Sequence, residues 1–262
     1  MDLDDYQRYL LSNYASKRVF AVISWGCAAT DWTARVLNSH PEIFCLHTGN
    51  LKLQQLAYPA LPRLDGVAYL RLVASLGAGY AVAGDVHGMD RAHVPALRDA
   101  FGDALVCAVL VRDPLPRIRS QMAVFDELRE FSIWDLDPVT RLAEAARVTL
   151  PLGDVRARMF VHAANMLNAI VEEREVGPIF RTEDITSDPD RLAAFITTLT
   201  GGTVALGRKW LQGVVARPRT NSHHTGGDHE WTSWEIDVLR KIVRPEAWAA
   251  YADLGYSRPS FV

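Results

Sequence analysis

Two stretches of the 262-residue chain gather residue types that could handle a multiply charged anion. The first is Ser24-Trp-Gly-Cys-Ala-Ala-Thr-Asp31, a run of small and hydroxyl-bearing residues closed by Trp32. Small side chains let backbone N–H groups approach a phosphate, and Thr30 adds a hydroxyl where a helix would start. A tight turn with Asp31 as helix N-cap accounts for the same residues equally well. The second stretch is Val111-Arg112-Asp113-Pro114, with Arg117, Arg119 and Ser120 following on a helix that begins near Pro114. Guanidinium forks and a hydroxyl at a strand's end suit a phosphate, although solvated arginines on a surface helix are the commoner outcome. His87, in Ala83-Gly-Asp-Val-His-Gly88, and His47 could take a proton from a reacting hydroxyl, because imidazole titrates near working pH. A strand-end histidine bonded to backbone is the plainer reading of each. His223, His224, His229 and Asp228 crowd one loop, but with neither i,i+4 nor C-x-x-C spacing they predict no metal site.

Residues of this kind act only where a scaffold aims them, and the hydropathy pattern describes one. Arg18–Ser24, Ile43–Leu46, Tyr80–Ala83, Ala104–Val111 and Pro178–Arg181 read as short buried strands. Helical periods fall between them, at about Asp31–Ser39, Asp65–Leu76, Asp90–Ala100 and Val155–Glu175. Strands alternating with helices of this length predict an α/β fold: three layers, a mainly parallel sheet flanked by helices, in one domain over 1–262. Segment 114–176 reads as almost all helical and could form a lid or subdomain, in which Phe125, Phe131 and Trp134 could line an apolar pocket. Segment 216–230 is polar and rich in breakers, a long loop of a kind that in compact domains is usually functional or disordered.

Composition narrows the partners. There are 28 Lys+Arg against 31 Asp+Glu, and this formal net charge of −3 argues against a general nucleic-acid binder. No apolar run reaches the roughly 18 residues that span a bilayer. The acidic start Met1-Asp-Leu-Asp-Asp5 lacks the features of a signal peptide, and Cys27, Cys45 and Cys107 show no paired spacing. The expectation is a cytoplasmic protein with reduced thiols, no nucleic-acid partner and no membrane span; a homodimer stays open.

In chain order, the motifs resemble one family, the sulfotransferases that use 3'-phosphoadenosine 5'-phosphosulfate (PAPS). Val19–Ile43, VFAVISWGCAATDWTARVLNSHPEI, is similar to that family's 5'-phosphosulfate loop, typically P-[RK]-S-G-T-[TS]-W-L followed by L-N-x-H-P-x-I. Arg112-Asp-Pro-x5-Ser120 resembles its 3'-phosphate motif, and Phe180-Arg-Thr-Glu-Asp-Ile185 with Asp188-Pro189 its R-Y-E-D-L…D-P segment. Trp231-Thr-Ser-Trp-Glu-Ile…Tyr251…Gly255-Tyr256 resembles its C-terminal helix and closing Gly-Tyr. The resemblance implies a P-loop-like fold that moves a sulfonate from PAPS to a hydroxyl or amine of a small-molecule acceptor, releasing 3'-phosphoadenosine 5'-phosphate (PAP). It places Cys27, Ala28, Ala29, Thr30, Asp31 and Trp32 at the nucleotide's 5' end, and Arg112 and Ser120 at its 3'-phosphate. Arg217 and Arg219 fall near the family's late R-K-G segment, which closes over the same phosphate. His87 falls near the catalytic base, with His47 the alternative.

The chain also departs from the pattern. Cys27 stands where the family carries Lys or Arg against the sulfonate, Asp31 stands where it carries Thr or Ser, and 83–88 has no lysine. A second reading is therefore a sulfotransferase fold that has lost its sulfonate clamp and binds a ligand or catalyses another reaction. A relative of the P-loop kinases is disfavoured, because no G-x-x-x-x-G-K-[ST] motif occurs.

Overall fold

A computed structural model of the chain describes residues 18–47, 65–128, 136–151, 153–217 and 230–261. Along the chain the elements are β1 (Arg18–Ile23), α1 (Thr30–Asn38), β2 (Ile43–Leu46), α2 (Gly66–Leu76), β3 (Val82–Val86), α3 (Val94–Phe101) and β4 (Leu105–Val111). There follow α4 (Pro114–Leu128), α5 (Asp137–Ala145) and α6 (Val155–Met166), then β5 (Ile179–Arg181), α7 (Thr182–Ser187), α8 (Pro189–Thr200) and α9 (Arg208–Val215). Last come α10 (Ser233–Ile242) and α11 (Pro245–Asp253). The described residues form two compact units, one within Met1–Val111 and Glu175–Thr220, the other within Arg112–Arg174 and Asn221–Val262.

The first unit is an α/β layer structure. Its five strands are all parallel in the order β2-β3-β1-β4-β5. β1 lies at the centre because Val19–Ile23 is apolar on both faces and fully buried, so it needs a strand on each edge and cover above and below. After α1 the chain goes to the outer strand β2, whereas after β3 it crosses to the other side of β1 to make β4. The connections thus diverge at the carboxyl ends of β1 and β3, the place where such sheets form a ligand crevice. One face of the sheet is covered by α1, α8 and α9 through Trp32, Val36, Leu37, Phe195, Leu199, Leu211 and Val214.

The third strand runs over Val82–Val86, not Tyr80–Ala83. Gly84-Asp85 has the look of a turn, yet Gly84 pairs with Phe20, and a Cβ there would lie 2.4 Å from both the Phe20 ring and its carbonyl oxygen. The glycine is in the strand because Phe20 occupies the space a side chain would fill. The helix expected over Val155–Glu175 is interrupted after Met166 by a 3-10 turn over Leu167–Ala169 and resumes for one turn over Ile170–Glu173.

The second unit is helical in its described residues. Asn168 ties its C-terminal helices down: its amide donates to the Ile242 carbonyl at 2.9 Å and accepts from the Arg244 N–H at 2.7 Å. The segment expected to be helical, 114–176, supplies much of this unit. Among the described residues no helix is long and apolar enough to cross a membrane, and Cys27, Cys45 and Cys107 are free thiols.

Candidate functional site

The turn between β1 and α1 has an unusual backbone. Gly26, Cys27 and Ala29 all have positive φ, at 78°, 54° and 54°. For Cys27 and Ala29 this left-handed conformation costs about 1–2 kcal/mol each, and it survives only where surrounding contacts over-determine it. One such contact comes from the far side of the sheet order. Thr182, at the start of α7 just after β5, is 3% exposed and donates its hydroxyl to the Ala28 carbonyl at 3.0 Å. The R-T-E-D segment thus braces the turn.

Asp31 does not cap α1. The N-cap is Ala29, in the left-handed conformation and without any side-chain cap, so the first-turn N–H groups of α1 face the turn as a helix dipole's positive end. Asp31 instead pairs with Arg35 one turn on, at 3.0 Å. The pair is largely exposed and adds little stability, but it places a cation beside the carboxylate that would otherwise repel an anion at this helix end. Ser24, between β1 and the turn, is 6% exposed, and its hydroxyl has no hydrogen-bond partner among the described residues. Uncapped N–H groups, left-handed backbone, Thr30 and Ser24 together make a donor set that fits an oxyanion. Trp32 is buried in the core beneath α1, and Trp25 is half-buried.

Two histidines close on this turn from the ends of β2 and β3. His47, one residue past β2, meets the Thr30 hydroxyl through Nε2 at 3.0 Å. His87, one residue past β3, lies with its ring centroid 5.7 Å from that of His47. Its ring also sits against Gly26, where a Cβ would come within 3.1 Å of Cε1. The φ of 78° and this close ring together favour glycine at the position. Burial pushes the His47 pKa down; Asp31 pulls the other way and Arg35 adds to the lowering. At neutral pH His47 is therefore a neutral ring able to accept a proton.

Each histidine is held by a residue that carries no obvious chemical motif. Asn38, the last residue of α1, clasps the outer edge of β2: its Oδ1 accepts from the Cys45 N–H at 2.8 Å, and its Nδ2 donates to the Cys45 carbonyl. A side-chain amide thus stands in for a neighbouring strand and sets the direction of His47. His40, from the same stretch, reaches the Ala205 carbonyl at 3.2 Å and packs edge-on against Trp210. At β3, the Asp85 carboxylate is 1% exposed, accepts from the Tyr69 hydroxyl at 2.7 Å and from the Gly88 N–H, and so fixes the reversal that contains His87.

The structure brings Thr30, Asp31, His47 and His87 together around residues 24–30. Arg112 and Ser120 belong to the helical unit: Arg112 is half-buried directly after β4, and Ser120 is buried in α4. Asp113 accepts from the Leu115 N–H at 3.1 Å at the start of α4, which explains Asp-Pro at that position as a helix start. Arg117 is not a surface arginine. It is 4% exposed and hydrogen-bonds Tyr251, whose own pKa burial raises. Phe125 is buried in α4, and Arg217 is exposed just past α9. Arg219, Phe131, Trp134 and the His223–His229 cluster lie outside the described residues, among which no group of metal-binding side chains occurs.

No protein-family model and no curated protein matches the chain. Among solved structures, a sulfotransferase from Alicyclobacillus acidocaldarius is similar over 94% of this chain and 99% of its own, with a TM-score of 0.49 and 18% identity.

Proposed function

We propose that the chain is a PAPS-dependent sulfotransferase acting on a hydroxyl or amine of a small acceptor. The observation that carries this reading is the convergence of two imidazoles, from the ends of β2 and β3, on a left-handed, uncapped turn at the carboxyl edge of a parallel sheet. The turn supplies donors for a phosphosulfate, and an imidazole beside it can take the proton that an attacking hydroxyl must lose. Backbone N–H groups of residues 28–32 and Thr30 would hold the 5' end. Arg112 and Ser120 are assigned to the 3'-phosphate on their motif, Arg217 and Arg219 to its closure, and the acceptor to the helical segment 114–176. PAPS supplies the activated sulfonate. His87 serves as base, and His47, bonded to Thr30, holds that hydroxyl toward the turn.

The second reading, a binding module that retains the fold, is favoured by Cys27, which brings no cation where the motif has one. One assay separates the two. PAP release from PAPS is followed with a panel of phenols, alcohols and amines, for the native chain, His87→Ala and Cys27→Lys. The transferase reading predicts acceptor-dependent release that His87→Ala abolishes and Cys27→Lys raises. Flat traces for all three proteins, Cys27→Lys included, would sink it in favour of the binding module.

A further inference from the structure

We propose that Asp85, supported by Tyr69, is the positioning residue for His87: its buried carboxylate holds the chain reversal that keeps the imidazole over the turn after β1. The inference rests on the reading of His87 as the base. Asp85 is an improbable residue for its place. It lies in β3, flanked by β1 and β2, with Ala21 and Leu46 as its register partners, and it is 1% exposed. Its buried neighbours Val82, Ala83 and Val86 are what that environment ordinarily selects. A carboxylate there is costly unless its oxygens are hydrogen-bonded, and both are: Oδ2 accepts from the Tyr69 hydroxyl of α2, Oδ1 from the Gly88 N–H.

The bond to Gly88 is the informative one. It closes a side-chain-to-backbone ring that spans Val86 and His87. His87 has a φ of 77°, uncommon for a residue with a Cβ, and its own N–H donates to the Val22 carbonyl of β1 at 3.0 Å. The residue is thus held by β1 on one side and by Asp85 on the other. The result of that restraint is the contact of the ring with Gly26 and its approach to His47. Tyr69, buried on α2, fixes the carboxylate's rotamer from behind. Asp85 acts through Gly88 and touches no reacting atom. The buried carboxylate also faces the Cys45 thiol, whose pKa burial and Asp85 together raise.

The test uses Asp85→Ala, Asp85→Asn and Tyr69→Phe in the full chain, with two readouts. The first is the NMR contact between the His87 ring protons and the Gly26 α-protons; the second is PAP release, with kcat and KM separated. Asp85→Ala should lose the contact and about 100-fold in kcat, the scale of a displaced catalytic group, with KM for PAPS changed by no more than about threefold. Asp85→Asn keeps an acceptor for Gly88 and should restore the contact and kcat to within about tenfold of the native chain. Retention of the contact in folded Asp85→Ala, or an Asn variant as impaired as Ala, would overturn the proposal. If Asp85→Ala fails to fold, Tyr69→Phe decides: a weakened contact with kcat down at least about threefold supports it, and both unchanged overturns it. A lost contact in a chain that never releases PAP would uphold the positioning role and remove the transferase reading. PAP release abolished by His87→Ala but untouched by Asp85→Ala would do the reverse.

Discussion

Replacing Thr182 by valine removes one hydroxyl while keeping the branched shape, and it isolates what the brace from α7 contributes to the anion-type turn. In the native chain the hydroxyl donates to the Ala28 carbonyl at 3.0 Å, and Ala28 is 1% exposed. Water therefore does not replace the lost donor, and the full desolvation cost of an unsatisfied buried carbonyl appears, about 1–3 kcal/mol. The turn holds strain in Cys27 and Ala29, so loosening it recovers part of that energy in the variant. The net loss is about 2 kcal/mol, which in a chain of this size lowers Tm by roughly 4–8 °C. Differential scanning calorimetry reads the shift, and PAP titration of the same samples should show affinity reduced about tenfold, since the turn's N–H groups are no longer pre-set. Thr182→Ser retains the donor and should keep native affinity. Equal Tm and equal affinity in Thr182→Val and the native chain would refute the claim that α7 braces the turn.

Other perturbations follow from the same contacts. Gly84→Ala places a methyl 2.4 Å from the Phe20 carbonyl in the middle of the sheet, where backbone cannot give way; it should cost at least about 3 kcal/mol and yield protein with a markedly lowered Tm. Iodoacetamide should label half-buried Cys27 first, whereas Cys45 and Cys107, both buried and the latter with its pKa raised to about 11, should react only after unfolding, as peptide mapping would show. Burial holds the pKa values of His47 and His162 below 6.5, with Arg117 adding to the lowering at His162. The unfolded chain then takes up protons first as pH falls below about 6.5, so stability declines from there down to the folded pKa values. Urea titrations at stepped pH should show that slope, and His162→Gln, which leaves His47 in place, should make it shallower.

Much of the scaffold was legible because its signals are local. Ile43–Leu46 is a strand at those residues, and β1, β4 and β5 lie within one residue of their apolar runs, since a short apolar run bounded by breakers marks a strand whether it is buried, as in β1, or half-buried, as in β5. β3 was displaced because Gly84 and Asp85 have turn chemistry in isolation; only the Phe20 ring and the Tyr69 and Gly88 donors make them strand residues, and none of these is adjacent in sequence. The same limit separates the parts of the site. Thr30, His47 and His87 were singled out for what they could do. Asn38, Asp85 and Thr182 were not, although each orients one of the site's parts, because a hydrogen bond to a distant backbone group leaves no spacing rule. Asn38 and Thr182 do fall inside the stretches that resemble sulfotransferase motifs, so the resemblance marked these positions without giving their roles.

The central claim, a PAP-type nucleotide site, is tested most directly by calorimetric titration with PAP, with Arg112→Ala and Thr182→Val as controls. The account predicts micromolar binding, about −8 kcal/mol, weakened at least tenfold in Arg112→Ala. No heat at millimolar PAP, from a chain shown to be folded by its calorimetric transition, would contradict it.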